Sequence, residues 1–333
     1  MKAEKSLVEL DKEPNTPHPR ETFSFVGHDE QEQALLDAYR SGRMHHAWLL
    51  TGAKGLGKAT LAYRFARVAL GAKRIGPRPL DVDPEDTMAR RVAALSHPDL
   101  FVLRRGLNER GKARREIAVD DARELGGFFA LAPSEGGVRV AVIDAVDDLN
   151  RNAANAILKT LEEPPPRSVL LLVCHAPGAV LPTIRSRCRR LTLRPLSDAQ
   201  VRTAMGQEAD DGVIALAKGR PGRAIALKAQ GLDASLGIDK AQARLTRGEA
   251  GPLLGALYEK MGGEPFEKLA AVLELAEEWT RAVGVEQADE HWAQAWSELE
   301  TLRSEAEGLD MDPRHALARA VGLLDRAAAG ARR

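Results

Sequence analysis

Three features of the sequence predict a parallel α/β nucleotide-binding domain followed by all-helical modules. Strand-sized apolar runs alternate with amphipathic helices as far as about residue 195. A glycine-rich turn ending in lysine, Gly52–Lys58, lies between one of those strands and the next helix. After Leu196 the strand-like runs stop, and Ala/Leu-rich helices broken by glycine take over. The length of 333 residues suits two or three domains rather than one core.

The elements follow in order. Residues 1–20 mix charge with Pro and Asn, which reads as a flexible N-terminal tail or a strap across a domain surface. An amphipathic helix begins at Gln31, Ala47–Leu50 forms a short apolar strand, and a helix over Ala59–Leu70 follows the glycine turn. Residues 71–90 read as a loop leading into a helix. Phe101–Leu103 is a strand, and the stretch Ile117–Phe129 becomes a helix with Leu125, Phe128 and Phe129 on one side. Val138–Ile143 is an apolar strand ending at Asp144; the helix Arg151–Leu161 is stopped by Pro164, Pro165 and Pro166. Val169–Val173 is a further buried strand and Leu191–Leu193 a last short one. This alternation favours a doubly wound parallel sheet with helices on both faces over residues 21–195. A small helical module is expected at 196–235 and a helical bundle at 236–333, with long helices at 266–282, 291–307 and 313–329.

Composition excludes several classes of function. Lys and Arg number 48, as do Asp and Glu, so no global basic field draws the chain onto nucleic acid. No apolar run reaches the roughly 18–20 residues of a spanning helix, and the first fifteen residues lack a signal-peptide core; a cytoplasmic protein without membrane contact is expected. Cys174 and Cys188 are too few for a disulfide framework or a thiolate zinc site.

The run Gly52-Ala53-Lys54-Gly55-Leu56-Gly57-Lys58 fits G-x-x-x-x-G-K in the strand-turn-helix context that the motif needs. Glycines let backbone N–H groups turn inward around phosphates, the helix N-terminus adds partial positive charge, and Lys58 reaches the β- and γ-phosphates. A glycine turn with a solvated lysine is the plainer alternative. The residue after the lysine is Ala59 where Ser or Thr would hold Mg²⁺, and Thr60 comes one place late, rotated by about 100° on a helix. Asp144, at the end of an apolar strand, has the form of a carboxylate facing Mg²⁺ and the loop lysine; a strand-end or N-cap carboxylate is the other reading. The next residue is Ala145, where an ATPase of this type carries a glutamate to activate water; Asp147 and Asp148 are weaker substitutes.

These motifs, with His46-Ala47-Trp48-Leu49-Leu50 before the loop, Ala153–Pro165 (AANAILKTLEEPP) and Leu181–Cys188 (LPTIRSRC), resemble the AAA+ clamp-loader subunits over most of residues 20–195. Gly219–Ala224 (GRPGRA) looks like the start of that family's lid helix. The resemblance implies an AAA+ domain, a helical lid and a C-terminal all-α collar. It also implies a place with gamma/tau and delta clamp-loader subunits in a hetero-pentamer that sets a sliding clamp on primed DNA during replication. Arg187 would be an arginine finger acting in trans, stabilising charge on a neighbour's γ-phosphate, for which a permanently charged forked guanidinium is suited. From the residues alone, Arg185, Arg187, Arg189 and Arg190 could equally form a solvated basic face.

The chain departs from the family's motor subunits at Ala59, Ala145 and Gly222, the last standing where a lid arginine is expected, with Arg223 displaced by one. Losing a metal ligand and a base removes several kcal/mol of transition-state stabilisation, roughly tenfold in rate for each 1.4 kcal/mol. The expectation is therefore a regulatory subunit whose cofactor, ATP with Mg²⁺, is weakly held or not hydrolysed. Gly52, Gly55, Gly57, Lys58, Ala59, Thr60 and Asp144 would form the nucleotide site, Asp144 being the candidate Mg²⁺ contact. An active AAA+ ATPase of the gamma/tau motor type is the alternative. The family's four-cysteine zinc module has no counterpart in residues 70–100, so no zinc is expected. His45 and His46 are read as packing or nucleotide-adjacent, the role of Cys174-His175 stays open, and Trp279, Trp292 and Trp296 are read as packing residues.

Overall fold

A computed structural model describes residues 11–12, 16–107, 114–135, 137–232, 240–262, 265–309 and 311–332. The chain forms two compact units. The first runs to Met205 and includes Lys218–Arg223; the second contains Gly206–Ala217 and Ala224 onward.

Unit 1 is built on five parallel strands, β1 (Ala47–Thr51), β2 (Leu100–Arg104), β3 (Arg139–Asp144), β4 (Ser168–Cys174) and β5 (Arg189–Thr192), in the order β2-β3-β4-β1-β5. The central strands are near-continuous apolar runs because both of their faces are covered. Alternate residues enter two cores. Trp48, Leu50, Val140, Val142, Val169 and Leu171 pack with Leu61 and Phe65 on one face. Leu49, Ala141, Ile143, Leu170 and Leu172 pack with Leu125, Phe129, Ile157 and Leu161 on the other. The helices that cover them are α1 (Asp29–Arg40), α2 (Lys58–Ala69), α3 (Thr87–Ala93), α4 (Val119–Ala130) and α5 (Arg151–Glu162). Their ends follow local chemistry: the Asp86 side chain accepts from the N–H groups of Met88 and Ala89, and Asn150 accepts from that of Ala153.

Two elements differ from the sequence expectation. The last strand is Arg189–Thr192 rather than Leu191–Leu193, because this edge strand is largely exposed and arginines can occupy it. A single turn of helix, α6 (Pro182–Arg185), precedes it, started by Pro182 and anchored by buried Ile184. α7 (Asp198–Met205) follows β5.

Where it is described, the N-terminal segment is a strap. His18 is fully buried, its Nε2 lying 3.1 Å from Asp11 Oδ2, and Asp11 also pairs with Arg104 at the end of β2. Arg20 Nε donates to the Ala93 carbonyl at 2.8 Å. From α2, buried Arg67 donates to the carbonyls of Arg20 and Thr22 and stacks on Phe23 at 3.9 Å. Buried Arg64 donates to the Phe23 carbonyl and pairs with Glu32 at 2.7 Å and Asp81 at 2.6 Å. Desolvation lowers the Arg67 pKa to about 10, which only surrounding acceptors make tolerable.

Among its described residues, unit 2 is built of helices: α8 (Asp211–Ala217), most of α9 (Pro221–Ala229), α10 (Ala241–Thr246), α11 (Ala250–Lys260), α12 (Pro265–Gln287), α13 (Glu290–Leu309) and α14 (Pro313–Gly330). Leu273, Ala276, Trp279, Trp292, Leu299, Leu302 and Leu324 are buried in it. Arg303 on α13 reaches Glu277 on α12 at 2.7 Å. Trp296 differs from Trp292 four residues away: it is half-exposed beneath the Arg281 guanidinium, 5.5 Å from its ring centre. No described helix is long and apolar enough to cross a membrane.

Candidate functional site

The phosphate loop leaves the C-terminal end of β1, buried along its whole length, and ends at Gly57, the left-handed N-cap of α2 (φ 88°). Glycine is required there: a Cβ on Gly57 would sit 2.7 Å from the Phe25 ring, and one on Gly55 (φ 85°) 2.8 Å from the Arg223 backbone nitrogen. The Gly222 N–H donates to the Gly55 carbonyl at 2.8 Å. The backbone at Gly222 and Arg223 thus lies directly against the loop, which the displaced arginine in the sequence did not reveal.

Lys58 points back into this loop. Its Nζ donates to the carbonyls of Gly52 at 2.6 Å and Ala53 at 2.8 Å, and burial lowers its pKa to about 8, against the opposing pull of Asp144 and Asp147. Asp144 ends β3, and desolvation, aided by the negative charge of Asp11, raises its carboxyl to about 7 despite Lys58. Ala59 and Thr60 are half-buried in the first turn of α2, and Ala145 is buried.

The two carboxylates considered as substitute bases are both committed. Asp147 accepts the backbone N–H groups of His175 at 2.9 Å and Ala176 at 3.1 Å, fixing the turn after β4; Asp148 pairs with Arg105 at 3.3 Å. His175 is therefore held at this turn through its own backbone. Its neighbour Cys174 is buried at the strand end with a pKa raised to about 11, and burial raises Cys188 to about 12. His45 and His46 stack at 4.4 Å ahead of β1, where His45 also accepts the Trp48 indole N–H on its carbonyl.

The loop, the helix N-terminus and Lys58 fit a phosphate group. The donor set of a hydrolytic Mg²⁺ site is incomplete in one respect: Ala59, not a hydroxyl residue, follows Lys58 directly. Among the described residues no group of three or more His, Cys, Asp or Glu could hold a metal ion.

Arg187 lies apart from the loop, in the turn between α6 and β5. It is half-exposed; its Nη1 donates to the Thr183 carbonyl at 2.8 Å, and its Nη2 lies 2.8 Å from Glu162 Oε1. The other arginines of the run are occupied differently. Arg185 donates to the Pro177 carbonyl, Arg189 stacks on Trp48 at 4.7 Å and Arg190 reaches Thr51 Oγ1 at 3.2 Å. Each of the four side chains thus has its own anchor, while Arg185, Arg189 and Arg190 stay exposed to solvent.

The sheet order, the glycine cradle with its lysine and the carboxylate that ends β3, one strand beyond β4, define a phosphate-loop α/β domain of the nucleotide-binding class. The family model described as "DNA polymerase III, delta subunit" matches residues 27–197, and the chain belongs to that family. Among curated relatives, the chain is 40% identical to DNA polymerase III subunit delta' of Pseudomonas aeruginosa over 158 residues, 47% of this chain and 46% of that one. It is 32% identical to the subunit delta' of Escherichia coli over 59% of this chain and 58% of that one. It is 31% identical to the subunit tau of Salmonella typhimurium over 66% of this chain and 32% of that one. The matches span about half, or less, of those relatives' own lengths.

Proposed function

We propose that this chain is a delta-prime-type subunit of the DNA polymerase III clamp loader, helping to place the sliding clamp on primed DNA while hydrolysing little ATP itself. Its partners would be the gamma/tau and delta subunits of a hetero-pentamer, and Arg187 would act in trans at a neighbouring subunit's nucleotide. The observation that carries this reading is the contrast inside unit 1. A well-formed phosphate loop is combined with Ala59 and Ala145 where hydrolysis needs a hydroxyl and a glutamate, and Asp147 and Asp148 are engaged elsewhere. Nucleotide held here would lie on the backbone of Gly52, Gly55 and Gly57 and on Lys58, without turnover. A half-exposed guanidinium on a short, core-anchored turn is suited to reach a partner's phosphate, because its charge is permanent and its donors fork onto two oxygens.

The test is ATP hydrolysis by the complex of gamma/tau, delta, clamp and primed DNA, assembled with this chain or with Arg187→Ala, beside nucleotide binding by the isolated chain. The reading expects an inert isolated chain and a loss of turnover by the complex of at least roughly tenfold with Arg187→Ala, assembly persisting. Vigorous turnover by the chain alone, abolished by Lys58→Ala and indifferent to Arg187, would make it an active motor-type ATPase instead.

A further inference from the structure

Arg187 is paired within its own chain. Glu162, its partner at 2.8 Å, is the last residue of α5, just ahead of Pro164. A carboxylate there stands at the wrong end of a helix, beside carbonyls that already carry partial negative charge, so a neighbouring cation is needed to offset it. The two charges come from elements fixed to one another: Leu161 and Ile184 are buried in the same core cluster, and Leu158 and Cys188 pack against it. The pair therefore forms without ordering either backbone. With 35% of the arginine side chain and 49% of the glutamate side chain exposed, it is also accessible and exchangeable.

Resting on the trans-acting role proposed for Arg187, we infer that Glu162 is an intramolecular latch for that guanidinium, surrendering it only to a more highly charged anion presented by a neighbouring subunit. A triphosphate offers a γ-phosphate that out-competes one carboxylate. A diphosphate offers none within reach, and the guanidinium returns to Glu162. Glu162 thereby ties engagement of Arg187 to the neighbour's nucleotide state, and it is a positioning residue rather than a catalytic one. Anion replaces anion, so the guanidinium keeps a charged partner in both states.

Two measurements test this. In the isolated chain, the rate at which phenylglyoxal modifies Arg187, read by mass spectrometry of its peptide, rises by roughly threefold in Glu162→Gln, the scale of an exposed ion pair. In the assembled complex without clamp or DNA, Glu162→Gln raises ATP turnover by about the same factor, and the rise vanishes in the Arg187→Ala background, where the latch has nothing to hold. Unchanged reactivity of Arg187, turnover that is unchanged or lowered, or a rise that persists in Arg187→Ala overturns the latch. A complex indifferent to Arg187→Ala sinks the trans-acting reading itself, and the reactivity arm then shows separately whether the pair exists.

Discussion

Asp144 and Gly57 show how single residues set the behaviour of the loop. The Asp144 carboxyl has a folded pKa near 7, above its unfolded value, so its contribution to stability is fully present below about pH 4 and is lost as pH rises towards 7. Replacing it with the neutral Asp144→Asn removes that dependence. In urea titrations without divalent cations, the variant gains stability relative to the parent between pH 4 and 7 and holds the gain above. Gly57→Ala combines φ 88° with a Cβ 2.7 Å from Phe25 and is expected to cost about 1–3 kcal/mol, measured by the same titration. The glycines, Lys58 and Asp144 are legible in the sequence because each is required by a local chemical context. The commitments of Asp147 and Glu162 are not, since both depend on contacts with elements distant in the chain.

Helices and central strands announce themselves through apolar patterning, and β1, β3 and β4 lie within a residue or two of the expected runs. The edge strand β5 and the single-turn α6 do not, because an exposed strand bearing Arg189 and Arg190 has no apolar period and one turn is too short to show one. Arg64 and Arg67 are equally opaque: arginine on a helix ordinarily reads as solvent-facing, yet both are buried and bind the segment before α1. Arg64→Ala leaves Glu32, itself fully buried, facing only Arg78, and is expected to lower stability by about 3–5 kcal/mol in thermal or urea unfolding. Deleting residues 1–21 removes the Arg20 carbonyl from Arg67 and uncovers Tyr63 against His18. A loss of about 2 kcal/mol or more and faster proteolysis near α2 are expected.

For the molecule as a whole, the balance of 48 basic and 48 acidic residues sets a limit on solitary behaviour. Without a net positive field, fluorescence anisotropy of the isolated chain with primed DNA at about 0.15 M salt should show no saturable binding, and any DNA contact of the complex should depend on other subunits. The disappearance of strand-like runs after Leu196 was visible in the sequence. The return of Lys218–Arg223 to the first unit was not, since it rests on backbone contacts such as Gly222 with Gly55. The strand order also governs how the protein comes into being on the ribosome. β1 is flanked by β4 and β5, whose last residue follows Thr51 by about 140 positions, so β1 has no sheet partner when it leaves the exit tunnel. At typical synthesis rates of roughly 5–20 residues per second, Trp48, Leu49 and Leu50 wait on the order of ten seconds or longer before the sheet can close. A nascent chain stalled before residue 189 would therefore be a client for chaperones that shield apolar segments.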